Sequence, residues 1–149
     1  MIHGVECKPL KVHPDDRGYF MEILRDDDPF FTRFGQSSFT LTYPGVIKAW
    51  HYHQQQDDLW FAVTGAAQVG LHDLREDSPT RGQTDTFYLG EFNRALLYIP
   101  HGVAHGYRVL GSQPMGLVYY TTHVYNPADE LRRDWDDASI GFNWATVNR

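Results

Sequence analysis

Valine, phenylalanine, tyrosine and threonine recur at alternate positions in short runs, and glycine, proline, aspartate and asparagine interrupt them along most of the chain. Successive side chains on a strand point to opposite faces, so period-two alternation suits strands with one face buried. The runs predict strands at residues 19–24, 38–43, 46–53, 59–64, 68–74, 86–89, 95–99, 103–110 and 115–123. Such a series of short strands fits an all-β jelly roll or related barrel better than a parallel sheet covered by helices. Turn chemistry agrees at Tyr43-Pro44-Gly45, Thr64-Gly65 and Asp77-Ser78-Pro79, where glycine supplies positive φ and proline fixes φ. From Pro127 onward the alternation weakens, and residues 129–135 read as a short helical turn.

A chain of 149 residues is long enough to bury one core, so a single domain over residues 1–149 is expected. The net charge of -6 and the lack of a dense basic run argue against a nucleic-acid partner. No apolar stretch approaches the roughly 20 residues of a membrane span, and Met1 to Pro9 does not read as a signal peptide. Cys7 is the lone cysteine, which suits a reducing cytoplasm.

Chemistry-bearing residues concentrate in two places. Gly45, His51, His53, Asp58 and Gly65 form one half of a pattern; Pro100, Gly102 and His105 form the other. On a strand, His51 and His53 share a face with Ile47 and Ala49, the small Ala49 leaving room for a ligand, while Lys48, Trp50 and Tyr52 take the other. Asp58 alternates with Trp60, Ala62 and Thr64 on the more polar side of the next strand. One pocket holding three imidazoles and a carboxylate is implied, able to move protons on a carbonyl compound or to hold a divalent metal. Plainer readings stand beside this one. The two histidines could be ordinary hydrogen-bonded barrel residues, Asp57-Asp58 after Gln54-Gln55-Gln56 could be a solvated turn, and Tyr119 could be a core aromatic. His3, His13, His72, His101 and His123 read as surface or structural, and Ser78-Pro79-Thr80 as turn chemistry.

Residues 15–22 (DDRGYFME), 73–82 (DLREDSPTRG), 99–107 (IPHGVAHGY) and 125–127 (YNP) occur in an order that resembles the dTDP-4-dehydrorhamnose 3,5-epimerase family, from about residue 12 to residue 144. The resemblance implies a cupin-type jelly roll (a double-stranded β-helix barrel) with an N-terminal arm, acting as a homodimer in which Arg17 and Glu22 serve the neighbour's nucleotide site. It implies no cofactor, and a nucleotide-linked 4-keto-6-deoxy sugar as substrate. His51 would be the general base beside the keto group, and Tyr119 would return a proton from the opposite face. Gln36, His105 and Tyr125 would contact the substrate, and Lys48 stands where the family carries an arginine for the phosphates, keeping charge but losing the bidentate fork.

Two departures alter this picture. Asp58 stands at the family's pocket lysine, where a negative group would oppose an enolate. The chain stops at Arg149, without the aspartate that orients the base in the family, so His51 is expected to lack that partner. Conversely, His53 replaces a usual glutamine and, with His51, Asp58 and His105, matches the spacing of the general cupin metal pattern, with aspartate in place of glutamate. Such a set suits Zn, Fe, Mn or Ni. The two readings compete for His51, because one ring nitrogen cannot both ligate a metal and take a proton. Three functions therefore stand at this point: an isomerase of nucleotide-linked keto sugars, a metal-dependent cupin enzyme on a small keto or sugar substrate, and a silent carbohydrate-binding cupin.

Overall fold

The alternating runs become strands in a computed structural model that describes residues 1–149. In chain order they are β1 (Glu6–Pro9), β2 (His13–Asp15), β3 (Gly18–Phe20), β4 (Gln36–Thr42), β5 (Ile47–Tyr52), β6 (Asp58–Thr64), β7 (Ala66–Asp73), β8 (Thr84–Gly90), β9 (Ala95–Ile99), β10 (Val103–Leu110), β11 (Met115–Thr121) and β12 (Leu131–Arg132). Two five-stranded antiparallel sheets face each other, ordered β1-β9-β6-β11-β4 and β12-β5-β10-β7-β8, and β2-β3 makes a separate hairpin. The all-β jelly roll is therefore present. No helix is long and apolar enough to cross a membrane.

The core between the sheets comes from the inward positions of both, among them Leu71, Leu97, Val69, Val103, Met115 and Ile99. Each such side chain, fully withdrawn from water, contributes about 1.5–3 kcal/mol. A second cluster (Leu10, Leu59, Phe61, Leu96) lies on the other face of the first sheet, packed by Met21, Ile23, Leu24 and Phe30. This corrects the strand expected over residues 19–24: pairing stops at Phe20, and the apolar residues beyond it cap a sheet instead of joining one. The Lys8–Asp28 pair at 2.7 Å fastens the capping segment.

Strands β1, β2 and β12 were not foreseen, each being only two to four residues long. The helical turn expected over residues 129–135 is instead a 3-10 turn at Pro127–Asp129 followed by β12, which pairs with β5. Asn126 caps that turn by accepting from the Ala128 N–H, and Trp50 and Arg133 then exchange backbone hydrogen bonds. Ladder pairing with β5 satisfies the backbone where a helix would have had little apolar face to bury.

Strand β5 does not keep one alternation along its length. His105 of β10 faces His51, yet Tyr107 faces Lys48, so Gly106 alone opposes Ala49 and Trp50. The extra residue is a β-bulge, and it reverses which side later residues face. Trp50 is thereby buried with Ala104, Ile140 and Trp144, and Ala49 packs beside them. Ala49 thus belongs to the back of the sheet and makes no room in the pocket, whereas Lys48 joins His51 there. The closing segment Ile140, Phe142 and Trp144 covers this face, with Trp50 edge-on to Phe142 at 5.5 Å.

Candidate active site

Between the two sheets lies a cavity of about 290 Å³. Strands β4, β6 and β11 contribute Gln36, Asp58 and Tyr119 from one sheet; β5 and β10 contribute Lys48, His51 and His105 from the other. His53, just after β5, and Tyr125, in the loop before β12, complete the set foreseen from sequence. Arg17 and Glu22 lie outside this cavity. Arg17 sits at the tip of the β2-β3 hairpin beside Asp15, and Glu22 pairs with Arg25 at 2.9 Å.

His51 has a carboxylate partner after all. Its Nδ1 stands 2.7 Å from Oε1 of Glu130, a hydrogen bond in which the imidazole N–H donates and the carboxylate accepts. The expectation that the base lacks such a partner is corrected: β12 pairs beside β5, with Arg132 opposite His51, and this brings Glu130 up to the ring. In the neutral ring, donation from Nδ1 leaves the lone pair on Nε2, which no protein group hydrogen-bonds. That is the tautomer a general base needs.

The four-residue metal set also changes. His53, Asp58 and His105 bring their ligating atoms within 4.8 Å of one another, all three residues buried, whereas His51 falls outside that group. Asp58 is no solvated turn residue, being only 4% exposed. Its oxygens accept from Gln56 Nε2 at 2.8 Å and from Trp60 Nε1 at 3.1 Å. Nδ1 of His53 donates to the Asp129 carbonyl at 2.7 Å, and Nδ1 of His105 to the Val103 carbonyl at 3.0 Å. Burial pushes the His105 imidazole down to about 4, against the pull of the Asp58 carboxylate, so the ring is neutral at physiological pH. Beneath it Tyr107 packs edge-on to Trp60 and shares a 2.9 Å hydrogen bond with Thr42.

Sequence reasoning missed Glu130, Gln56 and Arg132, all of which line the cavity. Glu130 and Arg132 depend on a two-residue strand with no periodic signal of its own. The one available clue was the adjacent acids Asp129-Glu130 ahead of an apolar residue, which served instead as the start of the expected helical turn.

The whole chain, residues 1–149, matches the dTDP-4-dehydrorhamnose 3,5-epimerase family. It is 60% identical to the spore coat polysaccharide biosynthesis protein SpsL of Bacillus subtilis, over the full length of both chains. It is 40% identical to a probable low-salt glycan biosynthesis epimerase, Agl13, of Haloferax volcanii, across 96% of this chain and 94% of that one. Among solved structures, a dTDP sugar isomerase from Desulfovibrio desulfuricans superposes with a TM-score of 0.91 at 31% identity, covering 99% of this chain and 94% of the other. A 3,5-epimerase from Legionella pneumophila, solved with dTDP-4-keto-L-rhamnose, superposes with a TM-score of 0.88 at 29% identity, covering 100% of this chain and 82% of its own. With two facing sheets, a cavity between them and a family match over its whole length, the chain belongs to the dTDP-4-dehydrorhamnose 3,5-epimerase family.

Proposed function

We propose that the chain is an isomerase that epimerises a 4-keto-6-deoxy sugar linked to a nucleoside diphosphate, as its relatives' names and the bound sugar of the Legionella enzyme suggest. The observation that carries this reading is the His51–Glu130 hydrogen bond, which leaves a free ring nitrogen in a cavity between two sheets. A ketone acidifies the hydrogens on its neighbouring carbons. His51 Nε2 removes one of them, and the imidazolium that forms is stabilised by the Glu130 carboxylate. Tyr119 stands on the opposing sheet and returns a proton to the other face of the carbon, which inverts it.

Gln36 and Tyr125 border the sugar in this reading, and Lys48 with the mostly exposed Arg132 supplies positive charge for the diphosphate. We further read Arg17 and Glu22 as serving a second copy in a homodimer. The hairpin that bears Arg17 exposes Tyr19 and Phe20 at 55% and 63%, an apolar area that a partner would cover. The lone Cys7 fits a cytoplasmic setting. The metal-dependent reading on another keto substrate loses one of its four ligands, since His51 lies outside the His53–Asp58–His105 group, and the silent binding module leaves that oriented imidazole without a use.

The test is wash-in of deuterium from D2O into the C3 and C5 positions of nucleoside-diphosphate 4-keto-6-deoxyglucose, followed by proton NMR. The wild type incorporates deuterium and inverts at least one centre. His51→Ala exchanges about 10²–10⁴-fold more slowly, while Tyr119→Phe exchanges but returns uninverted sugar. A wild-type chain that exchanges neither position in any such nucleotide sugar overturns the proposal.

A further inference from the structure

His53, Asp58 and His105 pose a problem of electrostatics that the epimerase reading does not solve. Backbone carbonyls only accept hydrogen bonds, so the contacts of His53 Nδ1 with Asp129 and of His105 Nδ1 with Val103 put a hydrogen on Nδ1 of each ring, which leaves Nε2 bare in the neutral form, the form that ligates a metal. Each Nε2 then presents a lone pair. Those nitrogens stand 3.6 and 3.8 Å from the two oxygens of Asp58, one beside each oxygen. Three electron-rich groups therefore converge at a place where all three residues are at most 5% exposed. Donors are too few for them: the Gln56 amide is divided between Asp58 at 2.8 Å and His53 Nε2 at 3.3 Å. Trp60 serves only Asp58, at 3.1 Å, and no hydrogen bond reaches Nε2 of His105.

We propose that His53 Nε2, His105 Nε2 and a carboxylate oxygen of Asp58 form a binding site for one divalent transition-metal ion. Two neutral imidazoles and a carboxylate are a ligand set for Zn²⁺, Mn²⁺, Fe²⁺ or Ni²⁺, and three protein ligands leave coordination positions open toward the cavity. Ligand atoms placed about 2.0–2.1 Å from a tetrahedral ion lie roughly 3.3 Å apart. The observed 3.6 and 3.8 Å, one to each Asp58 oxygen, exceed that by a few tenths of an ångström, and the three ligand atoms all lie within 4.8 Å of one another before any ion draws them together. The Gln56 amide, now lying across the site, swings aside or turns its oxygen inward. Hydrogen bonds to Nδ1 already hold both rings in the orientation ligation requires, as outer partners of metal-bound histidines do.

The site also resolves the competition for His51. Glu130 holds that ring apart from the cluster, so the base and the ion use different imidazoles. Ion binding stands on these three residues whatever the cavity's substrate. Its use rests on the epimerase reading: a cation beside Asp58 would polarise the keto oxygen, the task of the family's missing lysine.

The experiment begins with the full-length chain, purified without an affinity tag or chelator and analysed by mass spectrometry for metals. It continues with chelator-stripped protein titrated calorimetrically with Zn²⁺, Mn²⁺ and Ni²⁺. About one equivalent of bound metal per chain is expected in the first measurement, or one saturable site in the second. Outer partners alone typically change affinity 10–100-fold, so His53→Ala and Asp58→Asn should weaken binding by about 100-fold or more, while His51→Ala still binds. Circular dichroism checks that each variant is folded, and the titration of stripped wild-type protein decides the matter if one is not. The absence of a saturable site for all three ions in that wild type, or unchanged binding in folded His53→Ala and Asp58→Asn, overturns the proposal. Deuterium wash-in is scored separately. Full exchange by stripped protein refutes the ion's catalytic use but not the site, and a filled site without exchange on any nucleotide sugar refutes the epimerase reading alone.

Discussion

Replacing Glu130 with glutamine isolates the charge behind the base. The carboxamide oxygen can still accept from Nδ1 of His51 across the present 2.7 Å, so the ring orientation survives while the negative charge is removed. In the proposed reaction His51 acts from its neutral form, and once it has taken the substrate's proton the carboxylate faces an imidazolium. Only this difference between the two states changes the rate. Two unit charges about 4 Å apart near a protein surface interact by about 4 kcal/mol. His51 and Glu130 are 30% and 21% exposed in their side chains, which lowers that figure through solvent screening. Hydrogen bonds to charged groups contribute about 1.5–3 kcal/mol, and we adopt this range. At about 1.4 kcal/mol per factor of ten, Glu130→Gln loses roughly 10- to 150-fold in kcat, with a smaller change in KM. Glu130→Asp, one methylene shorter, should fall between the two. The assay is epimerisation of the nucleotide-linked 4-keto sugar followed by NMR, with thermal melting to show that the fold persists. A kcat for Glu130→Gln within threefold of the wild type, or a loss carried entirely by KM, would refute the role assigned to Glu130.

Two further predictions concern the scaffold. A Cβ on Gly106 would lie 2.3 Å from the Ala49 Cβ and 2.8 Å from the Lys48 carbonyl, so Gly106→Ala should force open the bulge that aims Lys48 and His51. We expect about 1–3 kcal/mol of destabilisation together with lost exchange activity; unchanged melting and exchange would show that the bulge tolerates the added atom. Asp73 is fully buried, which by itself would raise its carboxyl; hydrogen bonds from Arg75, Ser78 and Thr80 outweigh this and hold it well below the usual carboxylate range. A depressed folded value means stabilisation that is complete above the unfolded value of about 3.9 and is lost as pH falls below it. Asp73→Asn should lower stability at neutral pH by about 3 kcal/mol, the low end for a broken buried pair because Arg75 keeps some access to water. That corresponds to roughly 6–12 °C in melting temperature. Below pH 4 the melting curves of wild type and variant should converge, and a constant gap down to pH 2 would contradict the assignment.

What the sequence revealed follows from what a strand's own residues can encode. Period two is a local signal, and β9 and β10 coincide with their predicted bounds at Ala95–Ile99 and Val103–Leu110. The motif histidines and Asp58 reached one cavity because their strands carry strong alternation and because the resemblance tied two distant halves together. Local pattern does not encode pairing by very short strands. Nothing in Leu131-Arg132 announces that it will lie against Tyr52 and His51, and so the carboxylate partner of the base stayed hidden. The bulge was hidden for a related reason. It arises from two strands meeting with unequal residue counts, and neither strand alone contains it. The face assigned to Lys48 and the room assigned to Ala49 were both wrong because of it.

The carboxylate at Asp58 makes physical sense only together with the histidine at position 53. A carboxylate alone where the family has a lysine would raise the energy of an enolate formed beside it, and the donors within reach do not reverse that, since Gln56 and Trp60 already bond to Asp58. A histidine alone at position 53 would add a neutral ring with its lone pair aimed at a neutral or positive neighbour, a tolerable arrangement that needs nothing more. Combined with His105, they produce a concentration of lone pairs whose simplest relief is a positive charge placed between them. The pocket then again has a cationic end at Asp58 and a basic end at His51, supported from behind by Glu130. Proton abstraction from a carbon beside a ketone needs that polarity: negative charge develops on the keto oxygen while positive charge develops on the base. Without the ion the only cations lining the cavity are Lys48 and Arg132, both exposed, where water screens them and where the diphosphate competes for them. The charge pattern of this pocket therefore favours filling the His53–Asp58–His105 cluster over leaving it empty, in the same chain and for the same reaction.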